Sequence, residues 1–542
     1  MDQATKRRKQ WKAGDWCIAA VFLVQAAVLL AANLLWLRAS ADFDTSSFYS
    51  AAIEMWRQKR LILSDYAYGT SLMLDTSVPL AALLYGLTGD IFTAYGLANI
   101  LVMAATLWVL WKLMGLVMPA QRRLPAYCMA GFLLLTPYSA GIVGYLEIVV
   151  WGYAAYNVRL LLMVAALYIV QAMEQKRAVW GWMAAFTFGT FVTAVSSSLY
   201  FWQSAILPLL CAEAVDVLRR NDLRFYRRPR LIFLAAQTAV TALGAAVARL
   251  AVPVDRAGNF IGGLQLAGPD QLAGNVSGLL AGAVEFWGAP AGGSSLAQQP
   301  SQLAGLVRLF VFAGVLCLAL VWLAGQVHRK WPGPDRERLT WDGILIAAVI
   351  SAVQLVLAPL YGWNHVHGRY LLLAWPGLVL LAVWMIEALL ERGKTLFYGA
   401  AGLLCAVLLL ANCGTVLYPA LAQDLSWRDE ILDYIQEQEG TVLVDYCQQG
   451  FYQTGRSAFA LTDGAVFGID CSEDGTPRLW GNSVRLFDAG RRTGWVFALA
   501  PEGSEQAAEL AAQMTYCTTI AGQSLYKAPA EEGLLDFSDS LS

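Results

Sequence analysis

The sequence is poor in charge: Asp, Glu, Lys and Arg make up only 14% of its 542 residues, whereas soluble domains carry about 25%. Hydrophobic residues reach 58%, above the roughly 45–50% of soluble domains. This composition excludes an ordinary soluble protein and predicts an integral membrane protein with many spans. The formal net charge of -2 also excludes the strongly basic surface that binding to nucleic acid requires.

Residues that mark metal sites and proton relays are also few. Two of the three histidines, His365 and His367, lie close together, but two ligands at this spacing without a third make a poor metal site. The nine cysteines show no metal-like spacing, and the three after residue 440 allow at most one internal disulfide. The middle of the predicted spans holds almost no ionisable residue, which argues against an ion-coupled transporter.

Long apolar runs are abundant, and each needs about 20 residues to cross a bilayer. They predict about eleven spans, near residues 16–37, 91–111, 124–144, 150–171, 178–195, 199–216, 231–251, 304–325, 343–361, 370–390 and 395–413. The first run is too long for a signal peptide and is predicted to be retained. Lys and Arg concentrate in the connections on the side of the N-terminus, which predicts a cytoplasmic N-terminus (residues 1–15) and an outer C-terminus.

Three predicted outer segments are long: residues 38–90, 252–303 and 414–542. Loops of such length are usually functional or disordered. In the first, apolar side chains from Phe48 to Trp56 share one helical face, which predicts an amphipathic helix over 46–61 in the membrane interface. Pro79 suits the first turn of a second short helix. The third segment alternates helical and strand patterns, which predicts a small extracytoplasmic α/β domain.

An acidic triplet, Asp42-Phe43-Asp44, follows the first span and falls on the predicted outer face. A carboxylate just outside a bilayer can take a proton from an acceptor hydroxyl or hold a divalent cation. Because Asp44 also precedes the predicted helix, the alternative is a simple N-cap. Farther along this loop, Asp75 is a candidate sugar contact or an ordinary polar loop residue.

A second cluster lies in the short outer turn before the predicted span 370–390 and contains His365, His367, Arg369 and Tyr370. Imidazole and guanidinium groups donate charge-assisted hydrogen bonds, so that this turn is suited to neutralise a phosphate. The alternative is an interfacial belt of aromatic and cationic residues.

Glu147 is a lone acid in a long apolar neighbourhood, at the predicted outer turn between the third and fourth spans. An acid in such a place is a functional candidate, or it only solvates the turn. Several arginines at outer ends of spans are not explained by the inside-positive bias. Snorkelling explains each one singly, and an anionic ligand at the outer leaflet would explain the set: Arg159, Arg249, Arg308 and Arg369.

These features together resemble the GT-C superfamily of polytopic glycosyltransferases, which includes protein O-mannosyltransferases and bacterial aminoarabinose transferases. The shared features are an acidic motif after the first span, helices in the first outer loop, an acid after the third span and an Arg-Tyr motif before a late span. Here these are Asp42-Phe43-Asp44, residues 46–61, Glu147 and Arg369-Tyr370. The resemblance implies an all-α polytopic fold for the membrane part. It does not extend to the C-terminal α/β domain, which carries none of these motifs.

The resemblance implies an inverting transferase of the plasma membrane that moves a sugar from a polyprenyl-phosphate donor to a surface glycan, lipid or protein. Asp44, or else Asp42, would be the base, and Arg369 with His367 would neutralise the phosphate. Glu147 would orient the acceptor or assist a metal. The resemblance leaves open whether the reaction requires a divalent cation. The other predicted substrate contacts are His365, Tyr370, Arg159 and Asp75. Alternatives are a glycan polymerase or ligase that uses a diphosphate-linked oligosaccharide, and a transporter of lipid-linked glycans.

Overall fold

The computed structural model describes residues 13–69, 71–141, 144–220, 224–251, 267–289, 300–327, 367–447, 454–472, 474–479 and 481–541. The predicted span 343–361 and His365 therefore lie outside the described residues, as do residues 252–266 and 290–299 of the predicted outer loop 252–303. The helices before the C-terminal domain are α1 (Ala13–Leu35), α2 (Phe43–Gln58), α3 (Val78–Thr88), α4 (Ile91–Val117), α5 (Arg123–Leu135), α6 (Asn157–Glu174), α7 (Trp180–Ser197), α8 (Leu207–Arg220), α9 (Pro229–Ala251), α10 (Pro269–Phe286), α11 (Pro300–Val327), α12 (Trp375–Glu391) and α13 (Thr395–Asn412).

Seven segments of this part of the chain are long and apolar enough to cross a membrane. They include α1, α4, α6, α9, α11, α12 with the turn before it, and a segment that starts with α13. The protein is therefore a multi-pass membrane protein of mainly helical fold, as predicted. The count of eleven spans and the cytoplasmic N-terminus stay predictions.

The spans predicted at 124–144 and 150–171 differ from the structure. Helix α5 ends at Leu135 and the next span helix, α6, begins only at Asn157. Thr136 is extended because a residue that precedes proline, here Pro137, is disfavoured in the α conformation. The irregular segment between α5 and α6 is largely buried, and it carries Glu147.

A helix in the first loop is predicted correctly, although α2 begins and ends about three residues before the predicted range 46–61, and most of its polar face is buried. Ser46, Ser47, Ser50 and Glu54 are each at most 5% exposed. The helix packs against α3 and α4 and also against a helix of the C-terminal domain. The polar stripe that the pattern places away from the apolar face is therefore a contact surface between two parts of the chain.

The C-terminal domain is a small α/β unit, as predicted. Its helices are α14 (Tyr418–Leu421), α15 (Ser426–Glu437), α16 (Thr454–Leu461) and α17 (Glu505–Gln513), and its sheet strands are β2 (Gly440–Asp445), β3 (Phe467–Asp470), β5 (Trp495–Pro501), β6 (Thr515–Ile520) and β7 (Gln523–Pro529). The sheet order is β3-β2-β5-β7-β6, with β2 parallel to β3 and β5 and the remaining pairs antiparallel. All nine cysteines are free.

A second, two-stranded sheet joins this domain to the first outer loop. Strand β1 (Tyr66–Ala67) of the loop pairs antiparallel with β4 (Asn482–Ser483) of the domain. The Tyr66 hydroxyl donates to the Ser47 carbonyl at 2.6 Å and lies 2.7 Å from the Gly481 carbonyl. The domain is thus held directly on the loop that carries the acidic triplet.

Candidate active site

The two aspartates of the triplet have different surroundings. Asp42 is the N-cap of α2 and only 5% exposed. Its Oδ1 accepts the Thr45 backbone N–H at 2.8 Å, and the Thr45 hydroxyl accepts the Asp42 N–H at 2.7 Å. This is a capping box, which satisfies N–H groups at the start of the helix. The capping role that the sequence left open for Asp44 therefore belongs to Asp42.

Asp44 lies in the first turn of α2 and is partly exposed. No hydrogen bond from the described residues reaches its carboxylate. Burial raises the pKa of Asp44 above its ordinary value, and the nearby Arg369 and Arg456 guanidinium groups lower it. A carboxylate that is open, unused by hydrogen bonds and flanked by cations can accept a proton.

Arg369 lies in the 3₁₀ turn Gly368–Ala374 that leads into α12. The turn passes so close to α10 that a Cβ on Gly368 would lie 2.1 Å from the Gly282 carbonyl oxygen, and only glycine allows this approach. The Nε of Arg369 is buried and finds no hydrogen-bond partner among the described residues. The turn thereby delivers a cation to the vicinity of Asp44.

Tyrosine rings surround Arg369. Four of them interact with its charge: Tyr153, Tyr156, Tyr200 and Tyr370. The rings also contact one another, with centroids 5.9 Å apart for Tyr156 and Tyr200 and 6.4 Å for Tyr200 and Tyr370. The His367 ring lies 6.2 Å from the Tyr370 ring. The sequence predicted His367 and Tyr370 but not the other three tyrosines, because no local motif marks them.

Glu147 is 6% exposed, in the π-helical turn Leu146–Val150. Its Oε2 has no hydrogen-bond partner in the described part of the chain. Burial raises the pKa of Glu147 to about 8, with a further contribution from the Asp42 carboxylate. Near pH 7 this side chain is mainly neutral, and a neutral carboxyl group can donate a hydrogen bond.

Polar side chains of α1 and α4 donate hydrogen bonds to the segment that carries Glu147. The acceptors are carbonyl groups of the irregular segment between α5 and α6, because buried backbone carbonyl groups require hydrogen-bond donors. The bonds run from Asn33 to Val150 (2.9 Å), from Asn99 to Gly152 (3.1 Å) and from Tyr95 to Tyr153 (2.8 Å). In return the Trp151 indole N–H donates to the Ala32 carbonyl at 3.1 Å. Glu147 and Tyr153 are therefore fixed relative to α1 and α4.

Asp75 and Arg159, both predicted to contact substrate, contact each other. The Arg159 Nε donates to Asp75 Oδ2 at 2.5 Å, with side-chain exposures of 7% and 0%. The hydroxyl groups of Ser196 and Ser197 donate to the same carboxylate at 2.5 and 2.6 Å. The contacts of this pair join the first outer loop to α6 and α7.

The proposed set of outer arginines is likewise divided. Arg308 donates to the Gly288 carbonyl at 3.2 Å and to the Thr415 hydroxyl, and Arg159 is paired with Asp75. Arg249 is exposed at the end of α9. Of the four, Arg369 is the one whose charge interacts with Asp44.

The C-terminal domain places two arginines beside the Phe43 ring, and of these only Arg456 acts on Asp44 among the charges that shift its pKa; sequence reasoning missed both. The guanidinium carbons of Arg456 and Arg478 lie 4.5 and 5.6 Å from the centroid of the Phe43 ring. No sequence signal marks them, since they lie in a separate domain some four hundred residues along the chain. Among the described residues, no three His, Cys, Asp or Glu side chains are grouped as a metal site.

No protein-family model matches the chain, and no curated protein sequence matches it. Solved structures do. The chain matches the apo crystal structure of ArnT from Cupriavidus metallidurans with a TM-score of 0.53 at 14% identity, over 94% of this chain and 98% of that one. It matches ArnT of the same organism bound to undecaprenyl phosphate with a TM-score of 0.58 at 12% identity, over 95% of this chain and 98% of that one.

The oligosaccharyltransferase of Archaeoglobus fulgidus in the apo form also matches, with a TM-score of 0.43 at 13% identity over 83% of this chain and 64% of that one. This similarity is too low to carry a structural argument. The ArnT match shows the fold: over nearly its whole length the chain is folded like ArnT, and the polytopic, mainly helical fold that the sequence predicts is confirmed.

Proposed function

We propose that the protein is a membrane glycosyltransferase that moves a sugar from a polyprenyl-phosphate donor to an acceptor on the outer face. The observation that carries the proposal is that the charges of Asp44 and Arg369 act on each other and that both act on Tyr153. Asp44 and Arg369 come from distant segments, the start of α2 and the turn before α12, yet their charges interact. In this fold, ArnT binds undecaprenyl phosphate, which supports a donor of the same class here.

The proposed reaction is a single displacement with inversion. The Asp44 carboxylate takes the proton from an acceptor hydroxyl while the oxygen attacks the anomeric carbon of the donor. The bond from that carbon to the phosphate oxygen breaks, and the polyprenyl phosphate leaves with the electron pair. Arg369, with His367, stabilises the charge that develops on the phosphate, as fixed cations do most effectively in a site of low polarity.

Glu147 takes a supporting role in this proposal. Because its pKa of about 8 leaves it mainly neutral near pH 7, it donates a hydrogen bond to the acceptor rather than compete with Asp44 as base. The C-terminal domain lies on the outer face with the first loop, to which it is bound through β1 and β4.

Binding of the lipid carrier is the first test. Undecaprenyl phosphate and undecaprenyl diphosphate are added separately to purified protein in nanodiscs and binding is measured by native mass spectrometry. We expect the monophosphate to bind wild type and Asp44→Asn, and to bind Arg369→Gln at least 10-fold more weakly. Preference for the diphosphate would support the polymerase or ligase instead.

Transfer is the second test. Undecaprenyl-phosphate-linked hexoses and pentoses, each radiolabelled, are supplied to vesicles that contain the protein and to vesicles without it. Label should move to a covalent product only with the protein present. Flux of the donor across the bilayer with no covalent product would contradict the proposal and support a transporter.

A further inference from the structure

Arg456 belongs to the C-terminal domain, but its side chain reaches the acidic triplet of the first outer loop. It lies on α16 and is 3% exposed. Its guanidinium carbon lies 4.5 Å from the centroid of the Phe43 ring, within the range of a cation–π contact. Phe43 is adjacent in sequence to Asp44, and the charge of Arg456 interacts with the Asp44 carboxylate.

The position of Arg456 is fixed by the neighbouring residue on α16. The Ser457 hydroxyl donates to the Ala41 carbonyl at 3.2 Å and accepts a hydrogen bond from the Ser46 hydroxyl at 3.1 Å. Arg428 of α15 donates to the same Ala41 carbonyl and, at 3.3 Å, to Ser457. Because these contacts lie at the start of α2, α16 and the backbone segment that carries Asp44 are held as one unit.

Charges alternate through this unit. Asp470, fully buried at the end of β3, interacts with Arg456, Arg456 interacts with Asp44, and Asp44 interacts with Arg369. The other ionisable groups that face Asp44 are Tyr153 and Asp42. The Asp44 carboxylate therefore interacts with two cations, one from the membrane part and one from the C-terminal domain.

We propose that Arg456 is a positioning residue of the reaction centre, through which the C-terminal domain keeps the Asp44 carboxylate ionised and oriented. The inference rests on the proposed function, in which Asp44 is the base. Arg369 must also serve the leaving phosphate. A second cation, supplied by the C-terminal domain, makes the ionisation of Asp44 less dependent on whether Arg369 is engaged by phosphate. A nearby opposite charge favours the ionised form of a carboxyl group and lowers its pKa.

The test is the pH dependence of kcat/KM. Removing the cation in Arg456→Gln raises the pKa of Asp44, so that the acid limb of the profile moves to higher pH. We expect a shift of about one unit or more, which is about a 10-fold loss at any fixed pH below the limb. Activity should recover as the pH rises, and Arg456→Lys should restore most of the wild-type profile.

Arg478→Gln is the matched control. Arg478 also contacts the Phe43 ring and also interacts with Asp470, so that its removal takes the same charge from the same domain. We expect its acid limb to coincide with that of wild type. An unshifted limb in Arg456→Gln, or an equal shift in both variants, would overturn the inference.

A titration without substrate separates this inference from the proposed function. The infrared carbonyl band of protonated Asp44 is assigned by difference from Asp44→Asn and followed against pH in the full chain. The band should appear at higher pH in Arg456→Gln than in wild type and in Arg478→Gln. If the wild-type protein transfers no sugar, the proposed function is refuted. If the band titrations of wild type and Arg456→Gln coincide, the role of Arg456 is refuted. Equal thermal unfolding midpoints show that the variants are folded.

Discussion

Two Arg–Asp pairs join the first outer loop to the helices around it, and their surroundings are opposite. Asp75 and Arg159 are in direct contact at 2.5 Å, and two serine hydroxyls satisfy the same carboxylate. Asp44 and Arg369 interact by charge, and the described residues give the Asp44 carboxylate no hydrogen bond. In sequence the two pairs are of the same kind: an acid of the first loop and an arginine near the outer end of a span.

The same residue types thus serve as scaffold in one pair and are available for chemistry in the other. A buried ion pair with full hydrogen bonding has no capacity left for a ligand, and it fixes geometry. A carboxylate and a guanidinium with unused hydrogen-bonding capacity can each meet a reacting group. Variants of the acids test this comparison.

Asp44→Asn should have the largest effect on activity. Loss of a general base typically costs about 10²–10⁴-fold in rate, and asparagine preserves the size of the side chain. We expect kcat to fall by this factor in the vesicle transfer assay while binding of undecaprenyl phosphate remains. Full activity in this variant would remove the base assignment.

Asp75→Ala should act on stability instead. Breaking a buried ion pair costs about 3–5 kcal/mol because the remaining charge is left uncompensated. The thermal unfolding midpoint in detergent should fall sharply, whereas the matched Asp44→Ala should leave it nearly unchanged. If Asp75→Ala keeps the wild-type midpoint but loses binding of undecaprenyl phosphate, the pair is a substrate contact and the comparison fails.

Glu147→Gln tests the third acid through the pH dependence of stability. Burial raises the pKa of Glu147 from 4.5 to about 8, so that the folded state binds a proton more tightly than the unfolded state. The stabilisation is complete below about pH 4.5 and is lost as the pH rises toward 8. Across that window the unfolding midpoint of Glu147→Gln should rise relative to wild type; a constant difference would contradict the raised pKa.

Asp42→Asn should have the smallest effect. Asparagine is as good an N-cap as aspartate, so that the capping box of α2 is kept. The substitution removes only the ability of this buried side chain to ionise. We expect transfer and unfolding midpoint close to those of wild type. A loss of transfer as large as that of Asp44→Asn would move the base from Asp44 to Asp42.

The helices were predictable from the sequence where the signal is local. Long apolar runs predicted the seven segments that are long and apolar enough to cross a membrane, the apolar stripe from Phe48 to Trp56 predicted α2, and short apolar runs predicted β2 and β5. Strands β3 and β6 and helix α16 were not predicted; β6, for example, has a single buried residue and so contains no apolar run. The error between α5 and α6 arose because an apolar run alone does not show that Pro137 ends a helix.

The site was predictable only in part, for a related reason. Asp44 and Arg369 stood out because charge is rare at the ends of apolar runs. Arg456 and the tyrosines around Arg369 have no such contrast in sequence, and their importance depends on which neighbours they meet. Asp75 and Arg159 stood out equally well, and no local pattern indicates that they satisfy each other.

A multi-pass helical membrane protein with a C-terminal α/β domain and an acidic segment after the first span follows from the amino-acid pattern alone. Hydrophobic length and period are properties of contiguous residues and need no knowledge of the fold. The packing of the chain, in contrast, sets which acid caps a helix, which is held in an ion pair and which keeps an open carboxylate that interacts with Arg369 and Arg456. Those outcomes depend on distances between segments hundreds of residues apart, and the hydrogen bonding and burial that set the chemistry of a carboxylate exist only once those segments have packed together.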